Sequence, residues 1–207
     1  MNDPNAAAQG QLDSEELMFL ALQAMEQDRD DEAIQYLKRA LVLEPKSGIL
    51  HHLLGAVYAQ LGMIDRAIDE MTQATVCNPQ LHMARFQLGM LYFTSANLPE
   101  AETASEPLGT LPEDNPLRIF RSGLLHMARD EFPAAVADLK RGLELNTEHP
   151  SLNHDMQMLL EMSQQAIAES DAQAAGAAVP APAPGVPPEG GRHILLSGYQ
   201  GLADGKK

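Results

Sequence analysis

An all-α solenoid of about four helix–turn–helix copies, closed by one further helix, is the fold this sequence predicts, on three observations. Residues 31–45 (DEAIQYLKRALVLEP) and 65–79 (DRAIDEMTQATVCNP) repeat at an offset of 34, aligning Ala33 with Ala67, Leu37 with Met71, Ala40 with Ala74 and Pro45 with Pro79. The same interval carries Ala67 to Ala101 and then to Ala135. Of the 207 residues 44% are hydrophobic but only 4% aromatic, with no Trp, so the core must be aliphatic and methionine-rich, which suits helices better than a β-sandwich.

Taken in order, residues 1–13 lack an apolar run and are expected to be a disordered N-terminus. The copies then occupy 14–47, 48–81, 82–115 and 116–149, each splitting into two amphipathic helices. In the second copy Leu54, Gly55, Tyr58, Gly62, Ala67, Met71, Ala74 and Pro79 mark the packing places. The small Gly55 and Ala67 let helix axes approach, and Pro79 ends the second helix. The third copy keeps Leu88, Gly89, Tyr92 and Phe93 in its first helix. Its second sets Ser105 and Leu108 where a large residue and a second alanine belong, and Pro107 interrupts the run. A short or kinked helix over about 99–107 is expected, then an irregular TLPEDNP stretch. The fourth copy keeps Gly123 and Ala135 but carries His126 at the tyrosine place and Gly142 at the second alanine. Residues 150–171 set Leu152, Met156, Leu159 and Ser163 on one helical face and Asn153, Gln157, Glu161 and Gln164 on the other, the pattern of a capping helix. Residues 172–191 form a Pro/Ala/Gly linker that cannot bury a core, and 192–207 (RHILLSGYQGLADGKK) regain apolar character.

The period and these residues resemble the tetratricopeptide repeat family. Its pattern is leucine, glycine and tyrosine in the first helix, then alanine, a large apolar residue, a second alanine and proline in the second. The resemblance implies a right-handed solenoid, protein partners and a concave surface lined by places 2, 5, 9 and 12 of each first helix. In this sequence they are Glu15, Met18, Leu22 and Met25; Ile49, His52, Ala56 and Ala59; Met83, Phe86, Met90 and Phe93; and Leu117, Phe120, Leu124 and Met127. All but Glu15 and His52 are apolar, a stripe longer than a solvated surface tolerates. It is either closed by the chain itself, through curvature, the capping helix or the tail, or open to an apolar peptide or helix of a protein client, to which methionines adapt. An open groove is the expectation, so glutamate at Phe86 and Phe120 is expected to remove partner capture with the helices intact. The Lys, Arg and Asn clamp with which heat-shock co-chaperones of the family hold a carboxylate is missing, because the matching places are Met18, Leu22, His52, Leu53 and Ala56. The apolar lining looks more like that of bacterial secretion chaperones built from such repeats.

Composition narrows the function classes. With 14 Lys and Arg against 29 Asp and Glu the formal charge is −15, which opposes binding to nucleic acid and to anionic membrane surfaces. No apolar run of about 18 residues is present, so no membrane span is expected. The single cysteine, Cys77, makes no internal disulfide and is read as a small buried apolar residue. That, with no signal-peptide pattern in residues 1–13, points to a cytoplasmic setting. The seven histidines are scattered, and the adjacent His51 and His52 diverge by about 100° on a helix. No nucleophile elbow, phosphate loop or HExxH motif occurs, so no metal, cofactor or enzyme activity is expected. The acidic cluster Asp28, Asp30, Asp31 and Glu32 fits a solvated turn with favourable helix-start charge. The expected role is a non-enzymatic interaction module or chaperone. A regulatory or scaffold subunit, acting on a catalytic partner through its tail or acidic convex face, is the alternative. In the tail, Ile194, Leu195, Leu196 and Tyr199 are either a free end or a recognition segment that self-associates. Its tether of roughly 60 Å would reach the groove of the same or a neighbouring molecule.

Overall fold

The computed structural model describes residues 12–174. In chain order they form α1 (Ser14–Glu26), α2 (Asp30–Leu43), α3 (Gly48–Gln60), α4 (Ile64–Cys77), α5 (His82–Thr94), α6 (Leu98–Ser105), a 3₁₀ segment (Glu106–Thr110), α7 (Pro116–Ala128), α8 (Phe132–Leu145) and α9 (Pro150–Ala174). No strand occurs among the described residues. First helices start at 14, 48, 82 and 116 and second helices at 30, 64, 98 and 132, so both keep the 34-residue interval. The fold is an all-α repeat solenoid in which each helix packs on the next, α1 on α2, α2 on α3 and onward to α8 on α9. α9 begins at 150, the next term of the first-helix series. It runs through Ala172 to Ala174, past the residue where the linker was expected to begin, because alanine and glutamine sustain a helix that only a later proline must end. The rest of the linker, the apolar tail and residues 1–11 lie outside the described residues.

The turn inside each copy is set by one left-handed residue. Asp28 (φ 54°), Gly62 (φ 72°), Ala96 (φ 58°) and Asp130 (φ 58°) sit 34 residues apart, each two residues past the end of a first helix. Only Gly62 adopts that conformation without steric cost. At Asp28 and Asp130 a short polar side chain tolerates it, and Ala96 is strained.

Between the two helices of a copy a small residue admits close contact. A Cβ built on Gly55 would lie 3.0 Å from Met71 Cγ and 3.2 Å from the Met71 backbone nitrogen. At the same place Gly89 faces Ser105 at 3.1 Å and Gly123 faces Leu139 at 3.2 Å. Around these contacts lie two buried clusters. The N-terminal one is aliphatic, with Leu17, Leu37, Leu50, Leu53, Leu54 and Met71. The C-terminal one gathers Phe86, Phe120, Leu108, Leu139, Leu152 and Met156. Leu152, Met156 and Ser163 of α9 are buried, while Leu159 is half-buried.

The third copy breaks where its prolines require. α6 stops after eight residues and the chain tightens into the 3₁₀ segment containing Pro107, which lacks the amide hydrogen a continuing α-helix needs. That segment turns Leu108 fully inward, into the C-terminal cluster. Arginines satisfy carbonyls in this irregular region: Arg85 donates to Ala104 O (3.4 Å), Arg118 to Leu111 O (2.6 Å) and Arg141 to Glu113 O (3.4 Å).

Gly142 has a local cause. A Cβ there would lie 2.3 Å from Cε1 and 2.5 Å from Cδ1 of the fully buried Phe120 ring, so the glycine makes room for the ring. Gly142→Ala should therefore lower unfolding free energy by about 1–3 kcal/mol through overpacking. In a Phe120→Leu background the same change should cost nothing or stabilise, since the ring is gone and alanine favours helix. A double-mutant cycle by urea denaturation checks this; equal costs in both backgrounds would refute the steric coupling.

Candidate functional site

The first helices form one row, and neighbours in it touch directly through side chains. Phe86 of α5 and Phe120 of α7, both at place 5, pack with ring centroids 6.3 Å apart and planes at 51°. His52 of α3, also at place 5, donates from Nε2 to Oε1 of Gln87 on α5 at 2.5 Å. This row is the inner face that the sequence assigns to a groove, and packing between its members decides how much of it stays open.

Most of the expected groove is core. Met25, His52, Ala56, Phe86, Met90, Leu117, Phe120 and Leu124 are buried, as is Ala59. Met18, Leu22, Met83, Phe93 and Met127 are half-buried, and Ile49 and Glu15 are exposed. The expectation of a continuous open stripe is therefore corrected. In the C-terminal half, the side chains at places 5 and 9 are large enough to fill the gap between adjacent first helices and to join the buried cluster. Glutamate at Phe86 or Phe120 would stand inside that cluster, so such a variant reports on folding rather than on partner capture. In the N-terminal half the floor is Ala56 and Ala59, buried because they are short, and Met18, Leu22 and Ile49 remain accessible beside it. Ile49 at the start of α3 is the apolar place most open to solvent, and Met18, Leu22, Met83, Phe93 and Met127 are partly accessible.

Buried polarity sits at the centre of this face. Burial holds the His52 imidazole well below its ordinary pKa of 6.5, to about 4, and only partly is this opposed by its hydrogen bond to Gln87. The side chain is thus neutral at pH 7 and ties the second copy to the third. Elsewhere, His126 at the tyrosine place bonds Glu131 Oε2 through Nδ1 at 2.6 Å, and His51 bonds Glu70 Oε2 at 2.6 Å. Both are histidine–carboxylate pairs that connect first helices to the turn or second helix following them. Cys77, expected to be buried, is half-buried at the last residue of α4. Among the described residues no group of three or more His, Cys, Asp or Glu is placed to hold a metal ion. No helix among them is long and apolar enough to cross a membrane.

Three surface residues escaped the sequence reading. Phe19 is 57% exposed on α1, and Val42 and Val76 are 81% and 67% exposed near the ends of α2 and α4. The signal was available in the register. Val42 and Val76 are 34 apart, and Phe19 holds the place of the fully buried Leu53 in a copy before which no other lies among the described residues.

No protein-family model matches the chain. The anaphase-promoting complex subunit CDC16 of Saccharomyces cerevisiae is 26% identical over 121 residues, which are 58% of this chain and 14% of that subunit. Among solved structures, a chain of the APC/C hetero-tetramer Cut9–Hcn1 superposes with a TM-score of 0.67 at 17% identity, over 79% of this chain and 32% of its own. MamA superposes at 0.55 with 24% identity, over 64% of this chain and 77% of its own. A tetratricopeptide repeat protein of Parabacteroides merdae does so at 0.58 with 16% identity, over 80% and 66%. The chain thus spans about a seventh of the CDC16 subunit and a third of the matched Cut9–Hcn1 chain. These likenesses establish the repeat-solenoid fold.

His52 gives the face a pH signature. Its folded pKa, about 4, lies below the unfolded 6.5, so its contribution to stability is complete above pH 6.5 and is lost as pH falls towards 4. Between pH 7 and 4.5 this amounts to about 2–3 kcal/mol. Urea denaturation of the wild type and of His52→Gln, which cannot titrate but can still bond Gln87, should show the wild type losing that much more on acidification. Identical pH dependences would contradict the assignment.

Proposed function

We propose that this chain, whose 34-residue period and solenoid fold resemble the tetratricopeptide repeat family, is a non-enzymatic scaffold that takes an apolar helix or peptide of a protein partner on the N-terminal half of its concave face. The observation that carries this reading is the division of that face. The large side chains at places 5 and 9 of the third and fourth copies are packed away, whereas Ile49 is exposed and Met18 and Leu22 are partly accessible beside the short Ala56 and Ala59. Small floor residues leave depth for an inserted side chain, and methionines adapt to its shape. The partner is expected to present two or three apolar anchors at helical spacing, flanked by Lys or Arg that complement the acidic body. A client of this length, rather than a long unfolded segment, suits a chaperone or assembly factor that shields one short apolar element. A cytoplasmic setting accords with this role.

A second reading has its own observation. Val42 and Val76 occupy the same place on successive second helices and are 81% and 67% exposed. They would dock a partner on the convex side, as a regulatory or scaffold subunit requires. The two readings separate by mutation. Ile49→Glu, at an exposed position, should reduce capture of the partner from the source cell at least tenfold while far-ultraviolet circular dichroism and melting stay at wild-type values. Val42→Lys with Val76→Lys should leave it unchanged. The opposite pattern moves the contact surface to the convex face.

A further inference from the structure

The two ends of the solenoid are finished differently. α9 stands where the first helix of a fifth copy would, yet its exposed side chains are mostly polar, Met162 being the large apolar exception. Its place 8, glycine in the three preceding copies, is the exposed Gln157, whose Nε2 donates to Glu161 Oε1 at 3.2 Å; Gln165 pairs likewise with Glu169 at 2.8 Å. At the other end, place 6 of a first helix faces the preceding copy. Gln87 there bonds His52 of the copy before it, and the guanidinium of Arg121 lies 3.5 Å from where a Cβ on Gly109 would stand. In α1 that place is Phe19, which is exposed. With Leu12, Leu20, Glu15 and Glu16 it lines an open depression of about 400 Å³. An aromatic ring in the position that internal copies use for inter-copy contact, rimmed by carboxylates, is a surface made for an apolar and basic segment.

The chain carries such a segment. Residues 192–207 place Ile194, Leu195, Leu196 and Tyr199 next to Arg192 and add Lys206 and Lys207 against Asp204, whereas the sequence as a whole is strongly acidic. Residues 1–11, next to the depression in sequence, offer no large apolar side chain beyond Met1. We propose that residues 192–201 of one copy dock on the Phe19 depression of a second copy. The second copy follows from reach. α1 and α9 run in the same sense at opposite ends of the stack. With neighbouring helices 8–10 Å apart and 1.5 Å of rise per residue, the end of α9 lies roughly 50 Å from the depression of its own chain. The 17 residues from 175 to 191 span roughly 53 Å only when drawn taut, so an intramolecular return is strained and a neighbouring molecule is met freely. Each copy donates a tail and accepts one, which builds chains or rings, a reciprocal pair being the smallest ring.

Sedimentation velocity on the full-length chain tests this. The wild type should form species that grow with protein concentration. Phe19→Glu, at an exposed position, and Leu195→Glu should each lower the association constant at least tenfold with unchanged circular dichroism. An equimolar mixture of the two variants should restore a one-to-one dimer that does not grow further, because only one intact face and one intact tail remain in the mixture. Ile49→Glu should keep wild-type association, which separates this contact from partner binding on the concave face. A wild type that stays monomeric to several hundred micromolar, association insensitive to both substitutions, or a mixture that behaves as its separate components would each overturn the proposal.

Discussion

Close approach within each helix pair is the constraint on which the rest of this solenoid depends. At place 8, Ala21, Gly55, Gly89 and Gly123 carry at most a methyl group, and the three glycines face Met71, Ser105 and Leu139 at distances a larger side chain could not accept. Pairs this thin stack with their first helices in one tight row. Side chains that a wider spacing would leave lining a groove then meet across it. The Phe86–Phe120 contact and the His52–Gln87 hydrogen bond are consequences of that spacing. So is the glycine at 142, which yields its volume to the ring of Phe120.

Side-chain volume then divides the inner face. Where places 5 and 9 hold Phe86, Met90, Phe120 and Leu124, the row closes and the residues join the core. Where places 9 and 12 of the second copy hold the short, buried Ala56 and Ala59, the neighbouring Met18, Leu22 and Ile49 keep contact with solvent. One architecture thus supplies rigidity at one end and a receptive surface at the other, without any change in backbone period. At the junction of the second and third copies, neutral His52 couples the integrity of the row to pH.

The period, the helix pairs and the break at Pro107 were legible in the sequence because they are local. Each follows from spacing along the chain or from one residue's backbone chemistry. The left-handed residues at 28, 62, 96 and 130 were hidden because only one of the four is glycine. The inner face was misjudged for a different reason. Counting places on a helix tells which direction Phe86 and Phe120 point, but not how far away the neighbouring helix is, and it is that distance that decides between groove and core. Gly142 registered as a departure from pattern, and its meaning needed the ring 22 residues earlier in the chain. Phe19 could be read only by asking what a first copy does with a place that later copies use for contact with the copy before them.

The account rests on the inner face being closed in its C-terminal half and accessible in its N-terminal half, and the distribution of methionines along the fold reports on it directly. Oxidation by dilute peroxide, followed residue by residue by mass spectrometry, depends on access to the sulfur. Met162, 57% exposed on α9, and Met63, 42% exposed, serve as references, and Met71 and Met156, fully buried, set the opposite limit. Met18, half-buried, should oxidise at a rate between the references and the buried limit, while Met90, only 2% exposed, should oxidise no faster than Met71 and Met156. If Met90 instead oxidises as fast as Met18, the groove is open along its whole length and the division of the face proposed here is wrong.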